Sequence, residues 1–215
     1  MDASKTRIVL LGVAVAGLGI VLGTAFWLKL GPRQQFGVDR TDSADRIQHY
    51  GSVPDFLLTE RNGNSVGLAE LRGKIWIADF IYTKCTDTCP LQTALMAKLQ
   101  EEYAAKPDVH FVSFTVDPER DTPDILSVYA EKHRADAKRW YFLTGRRDQV
   151  LRLIQEGFHL SVAALPQNTD AGGVIPHTPR FVMVDKQARI RGYYDSREMA
   201  DFVRLKNDID MLVKG

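Results

Sequence analysis

Cysteine is almost missing from this chain. Cys85 and Cys89 are the only two in 215 residues, and they stand four positions apart. Two are too few for a disulfide framework, and that spacing cannot staple distant parts of a core. Charge of one sign is not in excess either. The 28 Lys and Arg offset 27 Asp and Glu, leaving a net charge of +1. No surplus basic charge is available to neutralise a phosphate backbone, which argues against a nucleic-acid binder. Internal repeats and low-complexity tracts are absent outside one apolar run near the start. Charged residues make up 26% and hydrophobic residues 45%, an ordinary globular balance. That excludes a fully disordered chain, a collagen-like repeat and a polytopic membrane protein.

The one long apolar run is Ile8 to Leu28, without charge, Asn, Gln or Pro, bracketed by Lys5, Arg7, Lys29 and Arg33. As a helix its 21 residues would span about 31 Å at 1.5 Å per residue, against about 30 Å of bilayer hydrocarbon. Trp27 suits the interfacial aromatic belt. A cleaved signal has a shorter apolar region, and Gly23-Thr24-Ala25 followed by Phe26 and Trp27 is a poor cleavage site. With no cysteine near the run, a lipid-linked anchor is excluded. The expectation is an uncleaved single transmembrane helix over 8–28, after a tail of residues 1–7 too short for a transit sequence. Flanking Lys and Arg are similar on the two sides and orient the span only weakly; with the thiol pair, the expectation is a bacterial inner-membrane protein with its domain on the periplasmic side. Residues 29–51 read as a polar linker, and 52–215 as one domain with ample length for a core.

Within that domain the apolar pattern alternates. A short strand and turn occupy 53–63. Lys74 to Thr83 (KIWIADFIYT) is a β-branched and aromatic run expected of a strand buried on both faces. A helix follows from Pro90 to Ala104, with Leu91, Leu95, Leu99 and Tyr103 at helical spacing. Val109 to Val116 is a second buried strand, and Thr122 and Pro123 cap and open the next helix, bearing Ile125, Leu126 and Tyr129. Trp140 to Thr144, a helix over 149–158, and a hairpin of 181–184 with 190–194 come next. Asp195 and Glu198 form a capping box for a final helix buried through Met199, Phe202, Val203, Ile209 and Leu212. This order, βαβαβαββα, predicts an α/β fold: a mixed sheet with helices on both faces.

The chemistry is concentrated between the first buried strand and its helix, in Thr83-Lys84-Cys85-Thr86-Asp87-Thr88-Cys89-Pro90. The C-terminal edge of a parallel strand is where such folds place sites. Helix N–H groups and the dipole there are expected to lower a thiol pKa. The pair can close a small disulfide or bind one soft ion, Cu(I), zinc or iron–sulfur, with a third ligand. Among five histidines, His110 lies in a strand, His133 and His159 at helix ends and His49 in the linker. His177 alone lies in a loop entering an inner strand.

DFIYTKCTDTCP, SFTVDPERDTP at 113–123, WYFLTG at 140–145 and HTPRFVMVDKQARIRGYYD at 177–195 together resemble the SCO/SenC family. Those proteins are membrane-anchored, thioredoxin-like copper proteins linked to cytochrome c oxidase assembly. The resemblance implies a thioredoxin-like fold and a metallochaperone with copper as its ion, Cu(I) and, less decided, Cu(II). It implies Cys85, Cys89 and His177 as the ligands, and the copper-bearing subunit of the oxidase or another copper protein as partner. Asp117 and Asp121 match an acidic loop motif, although a turn and a helix-opening charge also explain them. Thr86 stands where many members have Pro, and Pro176 replaces a frequent acidic residue. Pro179 lies about where thioredoxins carry a cis-proline. The same cysteines therefore also suit a metal-free thiol–disulfide oxidoreductase.

Overall fold

The computed structural model describes residues 47–85, 89–160 and 179–214. The expected span over 8–28, most of the linker and His177 lie outside the described residues. No helix among the described residues is long and apolar enough to cross a membrane.

These segments form β1 (Leu57–Glu60), β2 (Ser65–Gly67), α1 (Leu68–Leu71), β3 (Ile75–Ile81), α2 (Cys89–Glu102), β4 (Val109–Thr115) and α3 (Pro123–Lys132). Then come β5 (Trp140–Thr144), α4 (Arg147–Arg152) running into a π-helical turn (Leu153–Gly157), β6 (Arg180–Val184), β7 (Ile190–Asp195) and α5 (Met199–Lys214). The seven strands make one sheet in the order β2-β1-β5-β4-β3-β6-β7. β3 pairs in parallel with β4, and β4 with β5; β1 and β6 flank them antiparallel. Every residue of β3 and β4 is buried, because both strands are central and covered on both faces.

Alternate residues of these strands feed two cores. On one face Trp76, Phe80 and Phe114 pack with Ile154 and Phe158 of the π-helical turn region. On the other, Ile77, Ile81 and Phe111 meet Met96 and Leu99 of α2, Leu126 of α3, and Phe202 and Ile209 of α5. Cys85 and Cys89 belong to this second core. Thr122 caps α3 as expected, its side chain accepting from Ile125 N with Pro123 at the first position.

Some faces differ from the sequence pattern. Leu91, Ile125, Met199 and Val203 are exposed, while Gln92, Thr93 and Gln100 are buried on α2. These polar side chains find partners inside: Gln92 Nε2 donates to Arg180 O at 3.2 Å, and Gln100 Nε2 to Arg134 O at 3.1 Å. Asp195 ends β7 rather than capping α5, and its carboxylate takes Arg197 N and the Arg197 guanidinium.

Residues 47–51 pack on the domain as a strap along β7. Tyr50 N donates to Ile190 O, Ile190 N to Gly51 O and Val53 N to Ala188 O, all within 3.0 Å. Arg191, buried, donates to Ile47 O at 2.6 Å and to Asp185 Oδ2 at 2.9 Å. Gly51 turns the strap at a φ of +130°, where a Cβ would also lie 3.3 Å from His159 Nε2.

Candidate metal and redox site

β3 and β4 run parallel, so both end at one edge of the sheet, and β6, antiparallel to β3, begins there. Cys85 follows β3 at that edge. A turn closed by Cys85 N donating to Tyr82 O at 3.1 Å sets its backbone. Cys89 opens α2. Its amide donates to Cys85 Sγ at 3.4 Å, so the helix N-terminus points a donor at the first sulfur. No disulfide joins the two cysteines, and both are buried, Cys85 at 8% exposure and Cys89 at 1%.

Burial overrides the expected acidification at the second thiol. Desolvation, reinforced by the hydrogen bond to Cys85 and by the nearby Asp79 carboxyl, pushes the Cys89 thiol well above the ordinary cysteine range. Helix-terminal donors act on Cys85 instead.

Asp79 was not singled out by the sequence pattern, where it sits inside an apolar run. It is fully buried on β3, and neither carboxylate oxygen makes a hydrogen bond of good geometry. Burial lifts it to about 7, with Ser113, opposite it on β4, pulling it back only in part. The same-face neighbours it acts on include Cys89 and the Tyr129 hydroxyl, which is hydrogen-bonded to Thr93.

The four described histidines sit at the other end of the sheet. His110, second in β4, pairs with Trp76, about 20 Å from Tyr82 along β3 at 3.3 Å per residue. His133 ends α3. His159 lies against Gly51, which pairs with the start of β7, and His49 neighbours that same strap. No group of three His, Cys, Asp or Glu able to hold a metal occurs among the described residues. A groove of roughly 360 Å³ between the β1 approach and α4, lined by Phe56, Leu57, Arg152 and Glu156, involves neither cysteine.

A thiol pair at the parallel-strand edge of a mixed sheet, with one sulfur under a helix N-terminus, defines a thioredoxin-like dithiol protein. Residues 44–213 match the SCO1/SenC family, and the chain belongs to it. It is 31% identical over 158 residues to the SCO1 protein homolog of Bacillus subtilis, covering 73% of this chain and 80% of that one. Its structure is similar to a SCO1/SenC family lipoprotein of Bacillus anthracis, at 30% identity and a TM-score of 0.68, over 75% of this chain and 95% of that one. It is also similar to BsSco, a member of the Sco family of cytochrome c oxidase assembly proteins in which a disulfide switch was identified. There the identity is 28% and the TM-score 0.65, over 78% of this chain and 95% of that one. Copper-bound ScoI of Bradyrhizobium japonicum shares the fold at 23% identity and a TM-score of 0.58, over 73% and 98%.

Proposed function

We propose that this chain is a membrane-anchored copper-binding protein that supplies Cu(I) to, or keeps reduced the thiols of, the copper site of cytochrome c oxidase during assembly. Cys85 and Cys89 supply the thiolates and His177 the imidazole. Two soft sulfurs four residues apart suit Cu(I), and an imidazole completes a set open enough to release its ion, unlike a closed four-ligand zinc site. The observation that carries the reading is the tie between Gln92 Nε2 and Arg180 O. It fastens the start of β6 to the first turn of the helix that Cys89 opens. His177 is three residues earlier, within about 10 Å of extended chain. The four described histidines lie at the far end.

Cu(I) titration of the reduced protein against a chromophoric Cu(I) chelator tests this. The parent is expected to bind one ion, and Cys85→Ser or Cys89→Ser to abolish tight binding. His177→Ala should weaken it by about 10–100-fold. Unchanged affinity in His177→Ala with a loss in His110→Ala or His159→Ala would reassign the third ligand. The anchor over 8–28 and a periplasmic domain are tested by a reporter fused after Gly215, expected to be active only outside the cytoplasm.

A second reading is favoured by the reduced, buried dithiol with an amide aimed at one sulfur. A thiol–disulfide reductase would use the same two cysteines without metal, and a dithiol must be reduced before it takes Cu(I). A parent that binds no copper yet reduces disulfides would select it.

A further inference from the structure

The motif Asp117-Pro118-Glu119-Arg120-Asp121 has no part in the ligand set, yet its last residue reaches the cysteine loop. Asp121 is 1% exposed. It accepts from Thr83 Oγ1 at 2.5 Å, from Thr83 N at 3.1 Å and from Thr115 Oγ1 at 2.6 Å. Its own backbone is held in turn. Asp121 N and Arg120 N both donate to Asp117 O, Asp117 N donates to Thr115 Oγ1, and the Asp117 carboxylate pairs with Arg120 at 3.1 Å. Val116 N donates to Ile81 O, continuing the β3–β4 ladder up to this point.

We infer that Asp121 is a positioning residue for the dithiol: it locks the β3–α2 loop to the β4–α3 loop and so sets Cys85 against Cys89. Thr83 lies inside the turn that Cys85 N closes onto Tyr82 O, so its place determines that of Cys85. Cys89 is fixed independently by α2. The separation of the sulfurs thus depends on two anchors, the helix and the Asp121 clamp. An ionised carboxylate suits the clamp because it only accepts, and three donors converge on it. Asparagine has the same shape but one accepting oxygen, and must turn an amide donor toward part of that set.

For copper affinity the inference rests on the proposed function; for dithiol geometry it does not. The test pairs Asp121→Asn with Asp185→Asn, another buried carboxylate clamp at the opposite end of the sheet. Two readouts are taken on full-length protein: Cu(I) affinity by chelator competition, and equilibrium with dithiothreitol. In the latter, the Cys85 and Cys89 thiols give up two protons and two electrons to form their disulfide, while oxidised dithiothreitol becomes its dithiol. Asp121→Asn should lower Cu(I) affinity by about tenfold or more, as for residues that orient metal ligands, and shift the dithiothreitol equilibrium several-fold. Asp185→Asn should lose stability and move neither readout. Thr83→Val keeps the carboxylate and removes one donor, so it should show part of the same shift; combined with Asp121→Asn it should add less than its own effect. It also serves if Asp121→Asn does not fold. Values within twofold of the parent for both Asp121→Asn and Thr83→Val would overturn the inference. A parent that binds no Cu(I) would remove the copper reading, and the dithiothreitol equilibrium alone would then decide the role of Asp121.

Discussion

The two cysteines have the same side chain and opposite surroundings. Cys85 accepts the amide that opens α2, whereas Cys89 is sealed beneath that helix among Met96, Ile81 and Tyr129. A thiolate, not a thiol, is the nucleophile, so the pair should react unequally. Brief treatment of the reduced protein with iodoacetamide at pH 8, followed by peptide mass spectrometry, should find Cys85 modified several-fold ahead of Cys89. Preferential labelling of Cys89 would mean that the helix terminus favours the second sulfur after all. Under the reductase reading the same asymmetry orders the exchange: a partner meets Cys85 first, and Cys89 resolves the mixed disulfide.

At the scale of elements, the central strands were legible because a strand covered on both faces must be apolar throughout, as KIWIADFIYT and VHFVSFTV are. The position of the cysteines at a strand end followed from the same pattern. Helix faces were read less well. Leu91, Met199 and Val203 sit at helical spacing yet face water, and Gln92 and Gln100 go inward because they bond to backbone carbonyls distant in sequence, Arg180 at the start of β6 and Arg134 after α3. A hydropathy pattern cannot report such partners, and the Asp121–Thr83 clamp was hidden for the same reason, its residues being 38 apart. The strap was hidden too, since a polar stretch has no periodicity. It carries Ile47 O, an acceptor for the buried Arg191. A fragment starting at residue 52 should therefore fold but unfold at lower urea than one starting at residue 41. The expected loss is about 2–3 kcal/mol for a hydrogen bond to a buried charged group. Equal midpoints would show that the strap is passive.

Over the whole molecule two buried groups on the central strands, Asp79 opposite Ser113 and His110 opposite Trp76, titrate against each other. His110 is held near 4, chiefly by burial and then by Lys74, so the folded protein refuses a proton that the unfolded chain takes up below about 6.5. Its contribution to stability is complete above pH 6.5 and is lost as pH falls toward 4, about 3 kcal/mol in all. Asp79 has the reverse sign. Held near 7, it keeps its proton in the folded state while the unfolded chain releases it above about 4. Its contribution is complete below pH 4 and is lost as pH rises toward 7, about 4 kcal/mol in all. Between pH 4 and 6.5 the two slopes cancel, each close to 1.4 kcal/mol per pH unit. Asp79→Asn removes one of them. Relative to the parent it should gain stability steadily from pH 4 to 7, level off by pH 8, and expose the acid sensitivity of His110 that the parent conceals. Urea unfolding of both proteins across pH 4–8 measures this directly. A difference between them that does not change with pH would show that Asp79 is already ionised in the fold at pH 4 or is paired with a donor there. In either case the carboxyl beneath the dithiol would not be the proton store that its burial implies.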